Sequence, residues 1–369
     1  MTEFNLPELP IESLELPTQE DTIKNEDGGA VDFAIVGSGQ CGGRIAKAFH
    51  DAGVKKVIAI NSADQDLSLL DLPAAQKVWL KSESSGAAKD MNVGRKLATE
   101  SHQQIFDQMR RVFGNCAHVL ISVGVGGGTG SGSLLPLVNN AKRYIEFIKK
   151  GDPNKCVGAI VVLPTEGEMK SKLVRDNAKA VLAEVGKLAQ AREISPLLVI
   201  DNERIQKLYR NLSMTDFWPT INTTLAGLFT VFNRLCNLNS EFTSFDPADY
   251  RSVIQCGGCC VMGMTRINKI EDETTVSNAL ATNMERTLLS GGFDYTTAKY
   301  AGCIAVGGQA VMQQPGIADM LSYGFDTLNN LVGGATCHRG IYQDPRPENA
   351  AVLKVYTIIG GLDVPLNIV

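Results

Sequence analysis

Apolar and polar positions change period repeatedly between residues 31 and 200, and each change marks a new element. Nearly continuous apolar runs at 31–36, 56–60, 119–123, 156–163 and 196–200 predict strands buried on both faces. The stretches between them carry apolar residues at helical spacing. Ile105, Met109 and Val112 share one face of a predicted helix over 96–113. Leu134, Val138, Ala141, Ile145 and Ile148 line one side of the next helix, which ends near Lys149-Lys150-Gly151. Amphipathic helices are also predicted over 44–50 and 172–190. Strands and helices in alternation call for a largely parallel, doubly wound α/β sheet of Rossmann type.

Beyond it the pattern changes. Leu225, Leu228, Phe229, Phe232, Leu235 and Cys236 cover much of the circumference of a helix over 219–239, as expected of a long central helix buried between two domains. The loop Ser244-Phe245-Asp246-Pro247-Ala248-Asp249 ends it. Short strands at 259–264, 303–306 and 352–359, separated by helices at 274–289 and 316–331, predict a smaller α+β domain. The expected organisation is a tail over 1–30, an α/β domain over 31–217, the central helix and its loop over 218–249, and the second domain over 250–369. A chain of 369 residues suits two cores better than one.

Composition narrows the class. With 44% hydrophobic and 20% charged residues, no apolar run long enough to span a bilayer and no signal-peptide pattern at the start, the chain reads as a cytoplasmic globular protein. Nine cysteines, an odd number placed mostly in apolar runs, suit a reducing compartment. A net charge of −5 argues against direct nucleic-acid binding. Much of that charge sits at the start, where eight acids face Lys24 alone within residues 1–30. That segment reads as a disordered acidic tail, either solvating or a docking element for an adaptor.

Candidate chemistry gathers at two glycine turns that follow predicted strands. Gly37-Ser38-Gly39-Gln40-Cys41-Gly42-Gly43 opens the first helix, and Gly124-Val125-Gly126-Gly127-Gly128-Thr129-Gly130-Ser131-Gly132 opens the helix after the third strand. Glycine-rich backbone at a helix N-terminus suits phosphate, because unpaired N–H groups and the positive dipole end both face the anion. Thr129, Ser131 and Ser133 add hydroxyls. Glycine turns at the carboxyl ends of parallel strands meet at the ligand crevice of such a sheet. No Gly-Lys-Ser/Thr follows a glycine run, which disfavours a P-loop NTPase. The second strand ends in Asn61 rather than an acid, which disfavours NAD. Cys256-Gly257-Gly258-Cys259-Cys260 lacks companion histidines, and His50, His102, His118 and His338 are scattered, so neither a metal site nor a catalytic triad is expected.

These motifs, in this order, resemble the tubulin/FtsZ superfamily of polymerising GTPases. Gly124 to Gly132 is similar to the GGGTGTG signature, with Ser131 at the second threonine. Gly39-Gln40-Cys41-Gly42 and Ile200-Asp201-Asn202-Glu203 resemble tubulin. Asn61 to Leu67, Gly86 to Arg95, and Asp246-Pro247-Ala248-Asp249-Tyr250-Arg251 resemble FtsZ. The resemblance runs from residue 31 to 369 and implies GTP or GDP as ligand, with Mg2+ beside it. It implies that Gly39, Gln40, Cys41, Gly42, Gly43 and Arg44 wrap the phosphates together with Gly124, Gly126, Gly127, Gly128, Thr129, Gly130 and Ser131. Gly86, Ala87 and Ala88 would sense the γ-phosphate. Glu168 would hold the ribose, with Lys172 the following basic residue. Asn202 and Asn222 would read guanine and Trp218 would stack on it. Asp246 and Asp249 would be catalytic acids inserted into the GTP site of a neighbouring subunit.

The resemblance also implies head-to-tail filaments whose assembly activates hydrolysis. An FtsZ-like division role is the first expectation. A plasmid or phage filament that positions DNA, or a non-polymerising GTP-binding regulator of the same fold, is the alternative. Three residues keep two readings on the sequence alone: Trp218 as core or stacking aromatic, and Asp246 and Asp249 as solvated loop acids or catalytic ones. Ser244 stands where FtsZ has asparagine, and Thr223 where FtsZ has aspartate. The chain ends at Val369, without an FtsZ-like tail, so the acidic N-terminal segment is the candidate adaptor site.

Overall fold

A computed structural model describes residues 29–82, 86–208, 213–285 and 291–365. The expectations for residues 1–28, acidic tail and adaptor docking included, lie outside the described residues. The chain divides into two compact units.

The first unit comprises Val31–Ala226, with Gly257–Cys259 and residues 364–365. Its strands are β1 (Phe33–Ser38), β2 (Val57–Asn61), β3 (Lys77–Trp79), β4 (His118–Gly124), β5 (Val157–Leu163) and β6 (Leu197–Asp201). They are ordered β3-β2-β1-β4-β5-β6, and every pairing is parallel. Strands β1, β2 and β4 to β6 are buried almost throughout, which is why their sequences read as unbroken apolar runs. Strand order reverses between β1 and β4, and Ser38 at the end of β1 lies in register with Val123. The two glycine turns therefore leave the same edge of the sheet side by side, at its topological switch point.

Two helices differ from the sequence expectation. The run 96–113 is two helices, Met91–Glu100 and His102–Phe113, with Ser101 ending one and opening the other. Buried Gly94, Ala98, Ile105, Met109 and Phe113 keep helical spacing across the junction, so the periodicity hides the break. The long helix expected from residue 219 starts earlier, at Met214, and runs to Leu235. The Ser213 hydroxyl accepts from the Asp216 N–H, a helix-start contact that the apolar pattern does not register.

The second unit comprises Gly227–Cys256 and Cys260–Asp363, together with Gly29 and Ala30. Its strand order is β7 (Cys259–Ile267), β10 (Leu353–Leu362), β8 (Tyr300–Gly308), β9 (Thr336–Asp344). β10 and β8 are antiparallel, and β8 and β9 are parallel. The pattern did not predict β9, whose sequence Thr-Cys-His-Arg-Gly-Ile-Tyr-Gln-Asp mixes exposed and half-buried polar positions. Helices Thr275–Glu285 and Ile317–Leu331 pack closely because Gly324 faces Val276; a Cβ there would lie 2.6 Å from the valine Cγ1. Asp246 and Asp249 also differ from expectation. They form the N-cap and first turn of a helix, Pro247–Ile254, rather than a free loop.

Candidate functional site

A cavity of about 640 Å³ opens at the carboxyl ends of the first unit's strands. Gly39, Gln40 and Cys41 from the first turn line it, as do Gly124, Gly126, Gly127, Gly128, Thr129 and Gly130 from the second. Gly86, Ala87, Ala88, Glu168 and Asn202 complete the expected residues. A neighbouring cavity of about 500 Å³ is lined by Arg44, Trp218 and Asn222 and shares Gly39, Gln40, Asn61 and Asp66 with the first. Gly42, Gly43, Ser131 and Lys172 line neither. The other sequence-derived residues of this unit fall around two adjoining spaces, with Asn202 at one and Asn222 at the other.

The helix Thr129–Ile148 starts at the first cavity, and its first-turn N–H groups have no intrahelical acceptor. Two hydroxyl pairs brace the turn: Ser62 Oγ with Thr129 Oγ1 at 2.7 Å, and Ser38 Oγ with Ser133 Oγ at 2.7 Å. Ser131 Oγ is buried without a hydrogen-bond partner among the described residues. An unpaired buried hydroxyl costs about 1–3 kcal/mol, and this one sits behind the turn, lining neither cavity.

The glycines of this turn serve mostly as contact points between protein segments. A Cβ at Gly132 would lie 2.0 Å from the Met91 carbonyl oxygen, one at Gly128 2.8 Å from Ala87 Cβ, and one at Gly126 2.8 Å from Val174. At Gly127 a Cβ would meet nothing within 4 Å. Gly42 is likewise a packing residue, with Ser122 O 2.0 Å from the Cβ position. Glycine here brings backbone against backbone, and exposure of N–H groups to a ligand is only part of its role.

The segment after Gly86 is strained. Ala88 and Lys89 take φ of 45° and 64°, a region costly for residues with a Cβ. Asn177, from the helix Lys172–Gln190, holds the Lys89 carbonyl at 2.7 Å. Lys89, Asp66 and Asn177 were not singled out from sequence. Lys89 directly follows the small-residue loop, and Asp66 lies five residues past the end of β2, so position relative to strand ends was the available signal.

Burial pushes the Cys41 thiol up to about 12, against the opposing pull of Arg44 and with a smaller push from Glu168. Cys41 is therefore a neutral S–H at neutral pH, a weak donor rather than a nucleophile. Glu168 Oε2 accepts from the Thr165 N–H at 2.8 Å and the Thr165 hydroxyl at 3.1 Å, which orients its carboxylate on the cavity wall. Trp218 meets Phe217 edge-on at 4.8 Å and lines the second cavity. Oxygen donors suited to a hard cation are present, with Asp66 and Glu168 as acids. No group of three acidic, histidine or cysteine side chains gathers among the described residues, so a cation here would depend on ligands from a bound phosphate.

In the second unit, Asp246 and Asp249 form a capping box. Asp246 Oδ1 accepts from the N–H groups of Ala248 and Asp249 at 2.7 and 2.9 Å, and Asp249 Oδ2 accepts from the Asp246 N–H at 3.1 Å. His338, scattered from the other histidines in the sequence, meets this helix start. Its Nδ1 lies 2.8 Å from Asp249 Oδ1 and its Nε2 3.1 Å from Ser252 Oγ. The residues are far apart in the chain, and strand β9 brings them together.

The profile described as "Tubulin/FtsZ family, GTPase domain" matches residues 33–210. The tubulin-like protein TubZ of Bacillus cereus is 22% identical over 94% of this chain and 82% of its own length. The cell division protein FtsZ 2 of Methanocaldococcus jannaschii is 24% identical over 94% of this chain and 84% of its own. Among solved structures, the GTPγS-form protofilament of Bacillus thuringiensis serovar israelensis TubZ superposes with a TM-score of 0.78 at 17% identity, covering 93% of this chain and 91% of that one.

Proposed function

Residues 33–210 match the tubulin/FtsZ family's GTPase domain, and on that premise we propose that the chain is a member of that family, binds GTP and assembles head-to-tail into filaments that hydrolyse it. The observation that carries this reading is the meeting of two glycine turns at the switch point between β1 and β4, beside a second cavity lined by Trp218 and Asn222. The phosphates would lie over the turn at Gly124 to Gly130, and the base between Trp218 and the two asparagines. An amide can donate to and accept from the guanine edge, so Asn202 and Asn222 could reject adenine. Lys89 offers the cavity a cation. Mg2+, when bound, would neutralise phosphate charge as the transferred group departs.

Hydrolysis needs a positioned water, and a carboxylate is the group to orient it. Asp246 and Asp249 are our candidates, acting on the nucleotide of the adjoining subunit. Hydrolysis would then follow assembly, because each complete site needs two subunits. Such an interface is heterologous and leaves the filament open-ended. A division-type role is our first reading. A DNA-positioning filament is the second.

Sedimentation and phosphate release, measured with GTP at several protein concentrations, test the activity. Pelleting and turnover that rise together above a critical concentration support it. GTP binding with neither polymer nor phosphate would sink it. Fluorescent fusions in the native cell then separate a ring at midcell from filaments that travel with DNA.

A further inference from the structure

Asp249 is held from two independent directions. Its Oδ2 accepts the Asp246 N–H at 3.1 Å, within the cap of its own helix. Its Oδ1 faces His338 Nδ1 at 2.8 Å, and that ring comes from β9, a different layer of the unit. The ring is itself fixed on several sides. Tyr300 of β8 stacks parallel to it at 6.1 Å, with an interplanar angle of 7°, and Phe245 meets it edge-on at 6.3 Å. Its far nitrogen, Nε2, rests on Ser252 Oγ at 3.1 Å, and the Ser252 hydroxyl donates back to the Asp249 carbonyl at 2.6 Å. Asp249, His338 and Ser252 thus close a loop of contacts around one carboxylate.

A helix cap alone needs only one oxygen of a first-turn carboxylate. The histidine contact adds nothing to the cap, yet it fixes the second oxygen and so the plane of the group. Orientation of this kind governs a water-directing carboxylate, because small misplacements of reacting groups cost large factors in rate. Ser252 Oγ donates to the Asp249 backbone carbonyl and faces His338 Nε2, so it braces the far side of the ring. The arrangement therefore resembles a triad in its contacts and differs from one in its direction: the carboxylate is the working end, and the histidine is its support.

We infer that His338 is a positioning residue for Asp249, setting the angle at which that carboxylate addresses the attacking water in the adjoining subunit's site. The inference rests on the proposed GTP hydrolysis and deepens it. His338 touches no nucleotide in this arrangement and acts only through Asp249.

Three substitutions separate positioning from general packing. His338→Asn keeps a donor near the Nδ1 position, His338→Gln places one near Nε2, and His338→Ala has neither. Phosphate release per pelleted subunit should fall about tenfold or more in the alanine and glutamine variants and recover largely in the asparagine variant. GTP binding and pelleting should be unchanged in all three. Equal rates in the asparagine and glutamine variants, or a wild-type rate in the alanine variant, overturn the inference. An activity-independent readout keeps the two proposals apart. With 15N-labelled histidine, the His338 Nδ1 proton should resonate far downfield and disappear in Asp249→Ala. Absence of that resonance in the wild-type protein overturns the contact while leaving the GTPase reading intact. Its presence in a protein that polymerises without releasing phosphate overturns the GTPase reading, and the catalytic purpose of His338 with it.

Discussion

The Asn177 side-chain amide donates to the backbone carbonyl of Lys89 at 2.7 Å, tying the helix Lys172–Gln190 to the strained segment beside the first cavity. The same nitrogen lies 3.5 Å from the carbonyls of Gly126 and Gly127. One side chain therefore bridges two walls of the cavity, at the point where Ala88 and Lys89 take positive φ.

Replacing that amide should loosen the cradle before it unfolds the protein. Asn177→Leu removes a hydrogen bond worth about 1 kcal/mol and releases two strained residues. GTP affinity, measured by titration with a fluorescent analogue, is expected to fall about five- to tenfold while the far-UV circular dichroism spectrum stays unchanged. An unaltered affinity would show that the ligand itself orders this segment.

Gly132 and Gly127 make an opposed pair. Alanine at 132 drives a methyl to within 2.0 Å of Met91 O and 2.4 Å of Arg95 N, so helix-to-helix overpacking should cost about 1–3 kcal/mol or more. Alanine at 127 meets no neighbour and should leave the melting temperature nearly unchanged. Thermal melts of both variants, without nucleotide, check the contrast.

These two glycines also show how far sequence reaches. The glycine run reads as a phosphate turn, but a glycine that admits a ligand and one that admits a neighbouring helix look alike in a sequence. The buried parallel strands were legible because both faces are apolar and no alternation obscures them. Strand β9 was not, because only Gly340, Tyr342 and Asp344 of its nine residues are buried. Ser101 was hidden by an apolar stripe that crosses it without losing phase. His338 seemed unattached because its partners, Asp249 and Ser252, arrive through sheet topology rather than spacing.

Asp249→Ala should leave GTP binding intact and reduce phosphate release by about a hundredfold or more, the scale of a lost general base. It also removes one arm of the capping box, at about 1 kcal/mol. Single-turnover assays on pelleted protein measure the first effect and denaturant titration the second. Loss of GTP binding would show that this helix start has another task.

Acid should destabilise the first unit through His118. This side chain is buried on β4 against Phe33, ring centroids 5.4 Å apart, and burial lowers its pKa from 6.5 to about 4, outweighing a contact with the Ser195 backbone. The unfolded chain binds a proton below about 6.5 and the folded chain only below about 4. Stability contributed by the neutral ring is therefore full above 6.5 and declines as pH falls toward 4, by about 3 kcal/mol. Chemical denaturation at pH 7.5 and 4.5 should show this decline in the wild-type protein and a smaller one in His118→Leu.

The capping box at Asp246 and Asp249 has an evolutionary consequence. Each acid is held by a backbone N–H that the other residue supplies, and any residue but proline would supply it. A substitution at one site therefore leaves the other acid's contact in place. The two positions can drift separately, and a descendant without the proposed hydrolysis could keep either acid simply to begin its helix.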